Sequence, residues 1–183
     1  MKYTKEIFQR LSKGQFISSN SIDPDVRSLY NDLEEHQQAY ADYFSQIDFE
    51  LSVGEGYYYF SRREPKVNVE NKLQAMFSWI DILDALKTFD TSFTAGTQFS
   101  LVQIETRCAS DPDLKAKISS LYKEEATLRG KIEKLAEFMV NKGFAEQVSE
   151  ADGIYQATTA FHYIEQIILT ININEEAERE IPE

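Results

Sequence analysis

Apolar residues recur at helical spacing through several segments of this chain and alternate through a few short ones. Tyr3, Ile7 and Leu11 stand four apart and stop at Gly14, which predicts a short helix over Tyr3 to Lys13. A brief apolar run, Gln15-Phe16-Ile17-Ser18, reads as a strand. After it, Asp23 can cap a helix whose first position is Pro24, where the missing N–H costs nothing. Val26, Leu29, Tyr30, Leu33, Tyr40, Phe44 and Ile47 then form one stripe, predicting a single long helix. Glu50 to Val53 and Tyr57 to Ser61 flank Gly54-Glu55-Gly56, a tight turn in which glycine takes positive φ without strain.

The second half repeats the order. Glu70 to Phe89 carries Leu73, Met76, Phe77, Ile80, Leu83 and Leu86 on a helical stripe. Thr91 to Gln98 reads as a loop, and Ser100 to Ala109 as a short helix. Ser110-Asp111-Pro112 starts another by the same cap-then-proline logic. From Ile118 the apolar positions Leu121, Leu128, Ile132, Leu135 and Met139 predict a long helix that Gly143 stops. Phe144 to Val148 and Ile154 to Thr158 flank an Asp152-Gly153 turn, and a last helix runs from Ala160 to Ile173.

A helix followed by such a hairpin is the helix-and-wing half of a winged-helix domain. The expected fold is therefore mainly α with small β-hairpins, an α+β class, as tandem winged-helix domains. The charged joint Arg62-Arg63-Glu64-Pro65-Lys66 places the boundary. That gives an N-terminal domain over 1–65 and a C-terminal domain with its terminal helix over 66–173. Residues 174–183 form an acidic tail, expected to be frayed and disordered. The halves share no repeat at sequence level, only the order of elements.

Composition changes this picture in one respect. At 183 residues, 42% hydrophobic and 27% charged, the chain has ordinary globular proportions. No apolar run approaches the ~20 residues that span a bilayer, and the N-terminus lacks the apolar core of a secretion signal. Cys108 is the only cysteine, so no disulfide forms within the chain and a reducing cytoplasm fits. The net charge of −12, however, opposes binding to phosphates at long range. That disfavours a free-standing DNA-binding regulator and favours a module that binds proteins.

Catalytic chemistry finds little footing. His36 and His162, the two histidines, read as one surface and one core-edge residue, with no cysteine or carboxylate at ligand spacing. Gly54-x-Gly56 lies inside a hairpin and opens no helix, so it makes no phosphate loop. Cys108 reads as a small buried hydrophobe, and the adjacent pairs Glu34-Glu35 and Glu124-Glu125 do not converge on one point. No enzyme activity, metal, cofactor or small-molecule substrate is expected.

Two features remain. In a strand, Tyr57 and Tyr59 face one way while Tyr58 and Phe60 face the other. With Leu51 and Val53 across the turn, the hairpin is apolar on both faces, and one domain of about 65 residues covers one of them well. Either the other pair stays on the surface as a partner anchor, or helices cover both. The second feature is the basic stretch Lys115, Lys117, Lys123, Arg129, Lys131 and Lys134, interleaved with Asp113, Glu124, Glu125 and Glu133. It is a solvated helix or a DNA-contacting face.

Gly14-Gln15-Phe16-Ile17-Ser18, the helix with Tyr40-Ala41-Asp42-Tyr43-Phe44, and the hairpin ending Gly56-Tyr57-Tyr58-Tyr59-Phe60-Ser61-Arg62 together resemble the MukE and MksE proteins of bacterial condensins. The shorter MksE members are nearer, since no long acidic extension is present. The resemblance implies a tandem winged-helix protein of the kite class, a homodimer that binds the kleisin subunit bridging an SMC ATPase. It implies no catalysis by this subunit, no membrane, a cytoplasmic and nucleoid-associated place, and DNA contact only within the complex. Chromosome segregation and condensation, or plasmid restriction, would be the process served. The alternative is a dimeric winged-helix transcription regulator reading DNA through a helix over Leu121 to Lys142.

Overall fold

The computed structural model describes residues 1–61 and 69–167, with side chains of the second span from residue 77. The joint at Arg62 to Lys66, the tail over 174–183 and the end of the last helix lie outside the described residues.

The two halves follow a similar order of elements, the second with one helix more between its first strand and its hairpin. The first half runs α1 (Thr4–Leu11), β1 (Ile17–Ser18), α2 (Pro24–Glu35), α3 (Gln37–Ser45), β2 (Glu50–Gly54) and β3 (Tyr57–Ser61). The second runs α4 (Val69–Phe89), β4 (Gln98–Ser100), α5 (Leu101–Ser110), α6 (Pro112–Ser120), α7 (Leu128–Lys142), β5 (Ala145–Ser149) and β6 (Ile154–Ala157). A closing helix, α8, covers residues 161–167. Each half folds an antiparallel three-stranded sheet, ordered β1-β3-β2 and β4-β6-β5, so in both the last strand is central. The class is α+β, helices with two small sheets.

Local chemistry accounts for these elements. Asp23 accepts from the Asp25 N–H and Asp111 from those of Asp113 and Leu114, each directly before its helix-opening proline. Gly56 at φ +78° turns β2 into β3, and Gly143 at φ +83° caps α7, with the Phe144 N–H donating back to Met139.

Three expectations need correcting. The helix drawn from Pro24 through Ile47 breaks at His36, whose φ of −123° and ψ of 29° are not helical. Tyr40 and Phe44 still reach the core, but Ile47 lies in the turn after α3 and is exposed. The long helix from Ile118 is broken too: Tyr122 takes φ +46°, and α7 starts at Leu128 behind a Thr127 cap that accepts from the Gly130 N–H. The stretch read as loop and helix around Ser100 contains β4, whose last residue also caps α5 in a reciprocal bond with Gln103.

Two hydrophobic cores result, and they meet at β3. The first gathers Ile7, Leu11, Leu33, Tyr40, Phe44 and Tyr58. The second gathers residues of α4 through α8, and it also takes Phe16 and Tyr57 from the first half. The two-residue period of a strand sends neighbouring tyrosines of β3 into different cores.

Candidate partner-binding site

The hairpin aromatics sit elsewhere than an uncovered face would put them. Tyr57 is 1% exposed and Tyr58 2%, while Tyr59 and Phe60 are half-buried. Tyr58 packs against Tyr30, and Phe60 against Phe8, Phe44 and Phe49, all within the first half. On the other face, Tyr57 and Tyr59 meet Phe16 and the α8 residue Tyr163, with Tyr59 and Tyr163 ring centres 4.9 Å apart. The second face expected to await a partner is thus covered largely from within the chain. The count for a lone domain of about 65 residues fails because the second half supplies the missing cover. Burial lifts the Tyr57 and Tyr58 hydroxyls to about 12, as it does that of Tyr40.

Polar contacts seal the same seam. Glu146 on β5 accepts from the Ser21 hydroxyl at 2.5 Å and the Ile22 N–H at 2.6 Å. Asn20 accepts from the Thr159 N–H at 2.7 Å and donates to the Ala157 carbonyl. Thr159 in turn donates to the Gly56 carbonyl at the hairpin turn.

Where the seam opens, it leaves a cleft of about 390 Å³. Its walls are aromatic: Phe49, Tyr59, Phe60, Trp79 and Tyr163. Lys13 and Lys142 also line it, and neither has a carboxylate within ion-pair distance among the described residues. Nothing local in the sequence singles out Trp79, Lys142 and Tyr163, because α4, α7 and α8 bring them to β3 from more than fifteen residues away.

The basic stretch fares differently. Lys131 is buried, its ammonium donating to the Leu121 carbonyl at 2.6 Å and the Tyr122 carbonyl at 2.8 Å, where it holds the α6–α7 loop. Arg129 bridges Glu105 and Glu133, Lys117 bridges Asp84 and Asp113, and Lys134 reaches Glu137. Lys115 and Lys123 alone of the six stand exposed with no ion pair among the described residues. The structure does not bring these cations together as one free face.

Both histidines, read as lacking a carboxylate, have one. His36 lies 3.2 Å from Asp32, and His162 lies 2.9 Å from Glu165. The spacings of four and three along a helix were the overlooked signal. Around Asp32, burial works to raise the carboxyl, but hydrogen bonds from the Tyr40 hydroxyl and the Lys2 and Tyr3 N–H groups win and hold it below the ordinary range. Glu165 is likewise held down against its burial by Lys87 and His162. Cys108 is buried, and burial pushes its thiol up. Among the described residues no group of three or more His, Cys, Asp and Glu could hold a metal ion, and no helix is long and apolar enough to cross a membrane.

This arrangement is an aromatic cleft at a welded seam, with Asp32, Glu165, Arg129 and Lys117 committed to internal pairs and two lysines in the cleft lining unpaired among the described residues. The model of the family described as MksE, condensin complex protein MksE, matches residues 2–168 of the chain. No curated protein matches it.

Proposed function

The chain belongs to the MksE family of condensin complex proteins, and on that premise we propose that it is a non-catalytic scaffold subunit of a bacterial SMC–kleisin condensin. Each half is a winged-helix domain, in which α3 and α7 stand where a recognition helix would and the hairpins β2–β3 and β5–β6 are the wings. The matched strand orders support this reading, since both sheets put the last strand between the other two. The chain acts in the cytoplasm at the nucleoid, as a homodimer that holds the kleisin and reaches the SMC ATPase through it. Chromosome condensation and segregation, or restriction of plasmids, is the process it serves.

The observation that carries the reading is the family match, which covers both halves. The rival, a transcription regulator, needs a basic helix facing the major groove. In α7, Lys131 is buried and Arg129 and Lys134 are bridged to carboxylates, within a chain of net charge −12.

The test is co-purification of the full chain with the kleisin and SMC proteins of the same cell, with masses read by light scattering. A stable complex containing two copies of this chain is expected. Tight, sequence-specific DNA binding by the chain alone, without kleisin binding, would reverse the assignment.

A further inference from the structure

The cleft at the seam is walled by rings and rimmed by charge. Trp79 and Tyr163 stand in its wall with ring centres 6.0 Å apart, and Tyr59 lies against Tyr163 at 4.9 Å. Each of the three is only half-buried, which leaves part of an aromatic surface open. The volume of about 390 Å³ falls near the lower end of the ~300–1,000 Å³ of small-ligand pockets.

The charge comes from two turns far apart in sequence. Lys13 follows α1 and Lys142 ends α7, and the residues beside them are pinned together. Gln15 Nε2 donates to the Asn141 carbonyl at 3.2 Å, and Gly143 approaches so closely that a Cβ there would lie 3.2 Å from the Phe16 nitrogen. Neither ammonium has a carboxylate within ion-pair distance among the described residues, whereas Lys117, Arg129 and Lys134 are all paired. Two like charges brought to one cleft and left unpaired, on a chain of net charge −12, favour an anion at this place.

Size and charge together select the occupant. A phosphate offers compact anionic oxygens, which lysine meets as a point charge. A flat ring suits the wall, because any base can stack on tyrosine or tryptophan through its π-face. A long polyanion is disfavoured, since past the two lysines it would run over a chain whose net charge repels it. We propose that the cleft binds a purine nucleoside diphosphate, with its base against Trp79 and Tyr163 and its phosphates on Lys13 and Lys142. The site rests on the cleft alone and is independent of the condensin reading.

Trp79 is the chain's one tryptophan and lines the cleft, so its emission reports occupancy. The probes titrated into the full chain are ADP and GDP, with adenosine for the ring alone, pyrophosphate for the charge alone, and a single-stranded oligonucleotide; calorimetry gives each affinity. Both diphosphates are expected to change Trp79 emission saturably, with adenosine and pyrophosphate binding roughly tenfold or more weakly. Lys13→Gln, at an exposed position, and the double variant Lys13→Gln, Lys142→Gln should weaken ADP in steps, the double by roughly tenfold or more, at an unchanged thermal melt. If the double variant does not fold, Lys13→Gln alone carries this arm. No saturable response to either diphosphate, pyrophosphate or adenosine binding as tightly as ADP, or ADP affinity unchanged in the folded variants would each overturn the proposal. So would an oligonucleotide that binds more tightly than ADP and loses affinity in the variants, which would make the cleft a nucleic-acid site.

Discussion

The two halves of this protein share a plan and differ in what completes them. Both place a short strand, two or three helices and a hairpin in one order, and both open a helix with an Asp-Pro pair. The first half fills one core from its own residues, with Phe8, Phe44, Phe49 and Phe60 clustered together and the N-terminal segment held on Asp32, but leaves the other face of its sheet to the second half. The second half is larger yet finishes its core with borrowed rings, Phe16 and Tyr57 within it and Tyr59 packed against it. A repeated order of elements therefore need not mean two independent units. One strand with aromatics on both faces can serve two cores and hold them as one.

The sharpest way to break that comparison is to strip β3 one face at a time. Tyr58→Ala should cost about 3–5 kcal/mol and loosen the first half, whereas Tyr57→Ala should cost a similar amount and loosen the second. Denaturant unfolding gives the size, and hydrogen exchange by segment shows which half opens.

Next in size is the Asp32 cluster, which has no counterpart in the second half around its α5. Asp32→Ala leaves the Tyr40 hydroxyl and two backbone N–H groups without their acceptor, a loss of about 1–3 kcal/mol. Because the folded carboxyl is held below its ordinary value, its contribution is present above the unfolded pKa of ~3.9 and is lost as pH falls below it. The parent should therefore lose stability relative to Asp32→Asn on acidification through that window, a difference that melts across pH 2–5 would read at roughly one-unit steps.

A smaller effect tests how closely the halves approach. A Cβ at Gly143 would lie 3.2 Å from the Phe16 backbone nitrogen, at a φ of +83° that L residues rarely adopt. Gly143→Ala should cost about 1–2 kcal/mol, visible as a lowered melting temperature. The smallest effect belongs to the surface. Arg129→Ala removes two exposed ion pairs and should change stability by less than about 1 kcal/mol, fading further in salt.

The sequence made the local devices readable. Asp23-Pro24, Asp111-Pro112, the Gly56 and Gly153 turns and the Gly143 stop all stand where their chemistry placed them. Helix continuity was not readable, because the apolar phase runs on across His36 and from Leu121 to Leu128 although the backbone breaks there. β4 is three residues long, too short for alternation to register. At the candidate site the aromatic run of β3 was visible, but which face met what depended on Phe16, Trp79 and Tyr163, brought there by tertiary packing. Lys131 shows the same limit: a lysine amid charges looks solvated until two loop carbonyls are found around its ammonium.

The claim that β3 holds both cores as one unit is tested most directly by equilibrium urea unfolding of the parent chain with two reporters. Trp79 emission follows the second core, and amide exchange in α2 and α3 follows the first. Coincident midpoints in the parent, splitting apart in Tyr57→Ala, are the expected result. Separate midpoints already present in the parent, with α2 and α3 opening while Trp79 emission is unchanged, would contradict it.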